Sequence, residues 1–137
     1  MKKEKARRRG QMSEAIPTVA FLTLSGGLQD AYSYCVRGKV FANAQTGNIV
    51  LMSQRLFSGD WTGSLRYLIP LASFAFGVFA AEQIRARCRK MRAIHWRQLV
   101  LLAEIALLLL AGLLPRRFDF FANALVSFSC AMQVQTF

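Results

Sequence analysis

Apolar residues along this chain gather into four long runs, residues 16–36, 67–84, 99–114 and 118–137. Each is close to the roughly 17–25 residues that a membrane helix needs. The third is almost entirely Leu, Ala and Val, with Glu104 as its only charge. One such run could be the core helix of a soluble protein. Four of them in 137 residues leave too little polar sequence to cover them. The pattern predicts an all-α, polytopic transmembrane bundle of about four spanning helices.

A fifth segment, residues 40–57, is moderately apolar but carries Asn43, Gln45, Thr46, Gly47, Asn48, Gln54 and Arg55. Charge placement arbitrates how it runs. Twelve of the eighteen Lys and Arg fall in two clusters, residues 2–9 and 85–97. If the segment does not cross and the amino terminus is inside, both clusters are cytoplasmic, leaving six basic residues outside. If it crosses, the tally becomes ten inside against eight outside. The bias of Lys and Arg toward the cytoplasm favours the first arrangement. Residues 40–57 therefore read as a re-entrant or half-membrane helix, tolerated at depth only where protein or water surrounds its backbone.

Composition sharpens this picture. The chain is 54% hydrophobic and 18% charged, yet carries a formal net charge of +11. Segregation of basic from apolar residues resolves that tension. Residues 1–15 form a basic cytoplasmic tail, residues 16–137 a membrane domain, and residues 85–97 a cytoplasmic basic loop. The tail could serve as the n-region of a signal peptide, and Arg7-Arg8-Arg9 superficially resembles a twin-arginine signal. Gly26, Gly27, Gln29 and Asp30 interrupt the following run, however, and no small-x-small cleavage site stands out. The expected location is the bacterial inner membrane. The clusters suit anionic lipid, and the amino-terminal one lacks the interleaved aromatics of a nucleic-acid surface. A homo-oligomer is left open.

Two polar clusters carry the candidate chemistry. In Ser25-Gly26-Gly27-Leu28-Gln29-Asp30, adjacent glycines loosen the helix, and Asp30 is an ionisable group near membrane depth. It reads either as a site on a broken helix or as a packing notch with Asp30 paired to Arg37 or Lys39. In Asn43-Ala44-Gln45-Thr46-Gly47-Asn48, Thr46 or Asn48 can cap a half-helix and Gly47 permits an unusual turn. A half-helix amino terminus offers free N–H groups to a polar or anionic solute. The competing reading is an interfacial helix start that merely faces water. Candidate solute-binding residues are Gln29, Asp30, Asn43, Thr46, Gly47, Asn48 and Glu104.

Other features read as structural. Ser73, Gly77 and Ala81 form a small-residue helix-packing stripe. Glu82 is placed to pair with Arg85, and Glu104 either snorkels to the inner surface or faces the bundle as a partner for Asp30 or a transported proton. His95 stands alone beside Trp96. Cys35, Cys88 and Cys130 lack metal or redox spacing, and no catalytic motif is present, so neither an enzyme nor a cofactor is expected.

Near the carboxyl end, Phe128-Ser129-Cys130-Ala131-Met132-Gln133 repeats the order of Leu24-Ser25-Gly26-Gly27-Leu28-Gln29. In the favoured topology the two copies run in opposite directions, the inverted-repeat arrangement of many secondary transporters. A second repeat would start near residue 119, and the 137-residue chain would be a fragment.

Residues Gly26 to Ala31, followed by Phe41 to Asn48, resemble the signature of the YoaK-like bacterial inner-membrane proteins, domain of unknown function 1275. That family carries Gly-x-x-Asp-Ala in its first span and Asn-x-x-Thr-Gly-Asn soon after. Asp30, Asn43, Thr46, Gly47 and Asn48 occupy the matching positions. Ala131-Met132-Gln133 resembles the start of the family's second half, although Val134 and Gln135 depart from its usual Asn-Ala. The resemblance implies a multi-pass membrane protein of unsettled function. The chemistry suggests a small-solute permease or, alternatively, an assembly protein binding partner helices or anionic lipid.

Overall fold

The structure, a computed structural model, describes residues 16–88 and 96–137. The basic tail, and most of the loop expected between residues 85 and 97, including His95, lie outside the described residues. The fold is all-α, with no strand among the described residues. Helices α1 (Ile16–Val36), α4 (Leu68–Cys88), α5 (Trp96–Leu113) and α6 (Asp119–Thr136) are the long ones. They coincide with the four apolar runs to within a few residues at each end. Two short helices, α2 (Gln45–Phe57) and α3 (Trp61–Leu65), lie between α1 and α4.

The breaks follow local chemistry. Gly38 and Lys39, with φ of 100° and 62°, turn the chain sharply after α1. The Asp60 carboxylate caps α3 by accepting from the Gly63 N–H at 2.8 Å. Pro70 sits in the first turn of α4, where its missing N–H costs nothing. Pro115 separates α5 from the 3-10 turn at Arg116–Phe118 that leads into α6.

Helix α6 is the centre of the bundle. Its buried residues include Val126 and Cys130, which meet Ala111 of α5, and Met132, which meets Val100 of α5 and Ala81 of α4. The pairings fix the directions. Gln29 of α1 meets Cys130 and Gln133, while Arg37 meets Asp119, so α1 and α6 are antiparallel. Gly77 of α4 faces Phe128, and Glu82 bonds Gln135, so α4 and α6 are parallel. Helices α1 and α4 are therefore antiparallel to each other. The segment joining them begins and ends at the same end of the bundle.

That joining segment is a hairpin. After Lys39 the chain doubles back beside α1: Phe41 stacks on Tyr34 at 4.8 Å between ring centroids, and Asn43 lies against Gly26. Ala42 is fully buried among Ala111, Val126 and Cys130. Helix α2 then returns toward the end it came from, where Leu51, Gln54 and Arg55 share a cavity with Lys39 and Tyr67. At 1.5 Å per residue, its 13 residues span about 20 Å, short of a hydrocarbon core about 30 Å thick.

The small-residue stripe of α4 packs inside the bundle. A Cβ added at Gly77 would lie 2.5 Å from the Phe128 carbonyl oxygen and 2.7 Å from the Ala131 Cβ. Ala81 is buried in the same contact, and Ser73 lines a cleft against α6. Much of the apolar surface has no protein cover. Phe21 is 74% exposed, Phe79 63%, Leu102 65% and Leu109 64%. Trp61–Arg87 and Trp96–Leu113 are long and apolar enough to cross a membrane by length and composition.

One expectation is corrected here. Gly26 and Gly27 do not break α1, which runs unbroken through both. A glycine costs a helix only about 1 kcal/mol, too little to interrupt a 21-residue element. Gly26 instead provides room for Asn43, while nothing stands within 4 Å of a Cβ at Gly27.

Candidate functional site

The two polar motifs near the amino end form one unit. Asp30 Oδ1 accepts from the backbone N–H of Asn43 at 2.7 Å and of Ala44 at 3.3 Å. A carboxylate from α1 thus occupies the amino-terminal end of α2, where backbone donors and the helix dipole favour negative charge. This overturns one expectation, since Asp30 pairs with neither Arg37 nor Lys39, and it engages the Asn43 and Ala44 N–H groups that lead into α2.

Asn48 holds the other side of the hairpin. Its Oδ1 accepts from the Phe41 N–H at 2.8 Å, and its Nδ2 donates to the Phe41 carbonyl at 2.7 Å and to Gln45 Oε1 at 2.8 Å. It therefore ties the returning helix to the extended strand of chain instead of capping α2, whose start has no side-chain cap. Gly47 lies under the Phe41 ring, with 2.9 Å between that ring and an added Cβ. Thr46 is exposed and takes no part in this clasp.

The second polar assembly joins the two motif copies. Gln29 Nε2 donates to Ser25 Oγ at 3.0 Å and to Gln133 Oε1 at 3.5 Å. Gln133 Nε2 donates to Ser25 Oγ at 3.4 Å, and the Cys130 thiol donates to Gln29 Oε1 at 2.7 Å. Ser25 and Gln29 belong to one copy, and Cys130 and Gln133 to the other. The antiparallel helices bring the matched sequences face to face.

Two cavities flank this assembly. One, about 490 Å³, lies between α1 and α5 and is mostly apolar, with Ser25 and Gln29 in its wall. The other, about 240 Å³, is lined by Asn43 and Gln133 together with Leu22, Thr23, Val134 and Phe137. The tip of the hairpin and the second motif copy thus share one small space.

Glu104 stands apart. It is 4% exposed on α5, and its Oε1 has no hydrogen-bond partner among the described residues. It neither snorkels to a surface nor bonds Asp30. The side-chain oxygens of Asn123, Ser127 and Ser129 on α6 are buried and unpartnered in the same way. Glu82 does pair with Arg85, at 3.3 Å.

The residue that sequence reasoning missed is Arg37. It is 4% exposed and satisfies four groups at once. Its guanidinium donates to the Tyr32 hydroxyl at 2.7 Å, Asp119 at 3.0 Å, and the Ala111 and Leu114 carbonyls at 3.0 and 2.7 Å. Those carbonyls are the unsatisfied acceptors at the end of α5, so Arg37 caps that helix. Asn123 Nδ2 in turn holds the Arg37 carbonyl at 2.6 Å. The available signal was an arginine at the end of one apolar run and an aspartate at the start of another.

These motifs carry a family assignment. The model of the family described as "Protein of unknown function (DUF1275)" matches residues 18–137. The chain belongs to this family. The match takes in the hairpin, both motif copies and Arg37. Searches of curated proteins and of solved structures gave no match.

Proposed function

We propose that this DUF1275 protein is a multi-pass inner-membrane protein with a cytoplasmic amino terminus that acts as a small-solute permease. The membrane reading is supported by large apolar side chains exposed around the long helices, which lipid would cover. The observation that carries the permease reading is the convergence of Asn43, from the tip of the hairpin, with Gln133 beside a cavity. Gln133 is hydrogen-bonded to Gln29 of the other motif copy. A re-entrant segment meeting inversely oriented motif copies is a recurrent way of building a solute site at mid-depth. The side-chain donors and acceptors in that space are neutral, the Asn43 and Gln133 amides and the Thr23 hydroxyl, and Asp30 already neutralises the start of α2. The geometry therefore favours a neutral polar solute over an anion at this depth.

The alternative reading is an assembly protein that binds partner helices or anionic lipid; the Gly77 and Ala81 face it would offer to a partner helix packs against α6. The test is uptake into proteoliposomes of a panel of labelled small polar solutes by the natural full-length protein. The Gln29→Leu and Gln133→Leu variants should each abolish accumulation of any solute carried by the wild type. Unchanged uptake by folded variants would refute the permease site.

A further inference from the structure

At the end of the bundle where α1 stops and α4 starts lies a cavity of about 390 Å³, separate from the polar assembly at mid-depth. Its wall is formed by Tyr34, Lys39, Leu51, Gln54, Arg55 and Tyr67, with Ser58 and Asp60 completing it. Two charges in this wall cancel, since Arg55 and Asp60 pair at 2.6 Å and Asp60 also caps α3. Lys39 has no ion pair among the described residues, and its charge is left facing a space also bounded by two phenol rings and a leucine.

The backbone makes Lys39 more notable. Its φ of 62° puts it in the left-handed region, directly after Gly38 at 100°. A side chain there costs about 1–2 kcal/mol relative to a right-handed conformation, and glycine would avoid the cost. That conformation belongs to the turn that ends α1, and it holds Lys39 in the cavity wall.

We infer that this cavity binds a small organic monocarboxylate, its carboxylate on Lys39 and its apolar part against Leu51 and the rings of Tyr34 and Tyr67. The volume lies in the usual range for a small-molecule pocket, and one unneutralised cation beside a leucine and two phenol rings, in a wall otherwise polar, fits an anion of single charge with a small apolar body. Lys39, Gln54, Arg55 and Ser58 are exposed, so the mouth opens at the bundle end. The inference goes beyond the permease reading and does not depend on it.

The test is equilibrium dialysis of labelled benzoate against the natural full-length protein in neutral detergent, with labelled benzamide as the uncharged counterpart. Benzoate should bind about tenfold more tightly than benzamide, reflecting one charge-assisted contact. Lys39→Met should weaken benzoate about tenfold and leave benzamide unchanged, whereas Lys39→Arg should stay within about threefold. Lys39→Gly removes both strain and cation, so it should lose benzoate while melting at or above the wild-type temperature. Equal binding of benzoate and benzamide, or undiminished benzoate binding by either Lys39→Met or Lys39→Gly, would overturn the inference. Displacement of benzoate by phosphatidylglycerol at the same concentration would overturn it in favour of a lipid headgroup site. Because binding is read directly, failure here is distinguishable from failure to transport.

Discussion

Gln29 and Gln133, the last residues of two matched six-residue motifs on antiparallel helices, meet amide to amide at 3.5 Å. Their partners are drawn from the same motifs, Ser25 from one copy and Cys130 from the other. The contact is long, so its energy is modest. Interhelical polar contacts in membranes average about 0.6 kcal/mol. A double-mutant cycle with Gln29→Ala and Gln133→Ala, read by unfolding in mixed micelles, should give a coupling of about that size. Strict additivity would show that the two amides do not interact.

Gly26 and Gly27 are adjacent and should respond oppositely to alanine. A Cβ at residue 26 would come within 2.8 Å of Asn43 Nδ2, whereas residue 27 faces open space. Gly27→Ala should stabilise the protein by about 0.5–1 kcal/mol through helix propensity. Gly26→Ala should gain nothing, and Gly26→Leu should dislodge the hairpin. Hydrogen exchange at the Asn43 and Ala44 amides, both held by Asp30, would report that displacement.

Arg37 joins the ends of three long helices, so its partner matters. Asp119→Asn would leave a buried guanidinium without its counter-charge. Breaking such a pair from one side costs about 3–5 kcal/mol. The one-third exposure of Asp119 argues for the low end of that range, about 3 kcal/mol. Thermal unfolding of the purified variant measures it. A loss comparable to that of the exposed Arg85–Glu82 pair, for which less than about 1 kcal/mol is expected, would deny Arg37 its structural role.

Asp60 gives the hairpin an acid sensitivity. The Gly63 N–H, and after it the Arg55 guanidinium, hold its carboxyl below the usual carboxylate range. A depressed folded pKa means that the contribution is complete above the unfolded value and is lost as pH falls through the folded one. The wild type should therefore lose stability relative to Asp60→Asn as pH is lowered from about 5 toward 3. Parallel melting curves for the two proteins across that range would contradict the capping role.

The long helices were legible because apolar runs of this length have few alternatives, and α1 begins and ends at the residues its run marked. The doubling back of residues 40–57 was legible too, through the distribution of Lys and Arg. What the pattern could not supply was partner choice. Asp30 had two cations within nine residues in sequence, yet it engages backbone N–H groups because the turn at Gly38 and Lys39 folds Asn43 back beside it. Asn48 has the composition of a cap, but Phe41 offers it both a donor and an acceptor. Thr46 shares the motif and points away from it. The interruption expected at Gly26 and Gly27 did not occur because a helical hydrogen-bond ladder survives two glycines.

The central claim is that the chain between α1 and α4 enters the bundle and leaves by the same end. Single cysteines at Lys39, Ser58 and Arg92, placed one at a time in a background with the native cysteines replaced, can be labelled with a membrane-impermeant maleimide. In intact spheroplasts, residues 39 and 58 should both react and residue 92 should react only after lysis. Reaction at residue 39 but not 58 in intact spheroplasts, with residue 92 accessible from outside, would make residues 40–57 a true span and contradict the account.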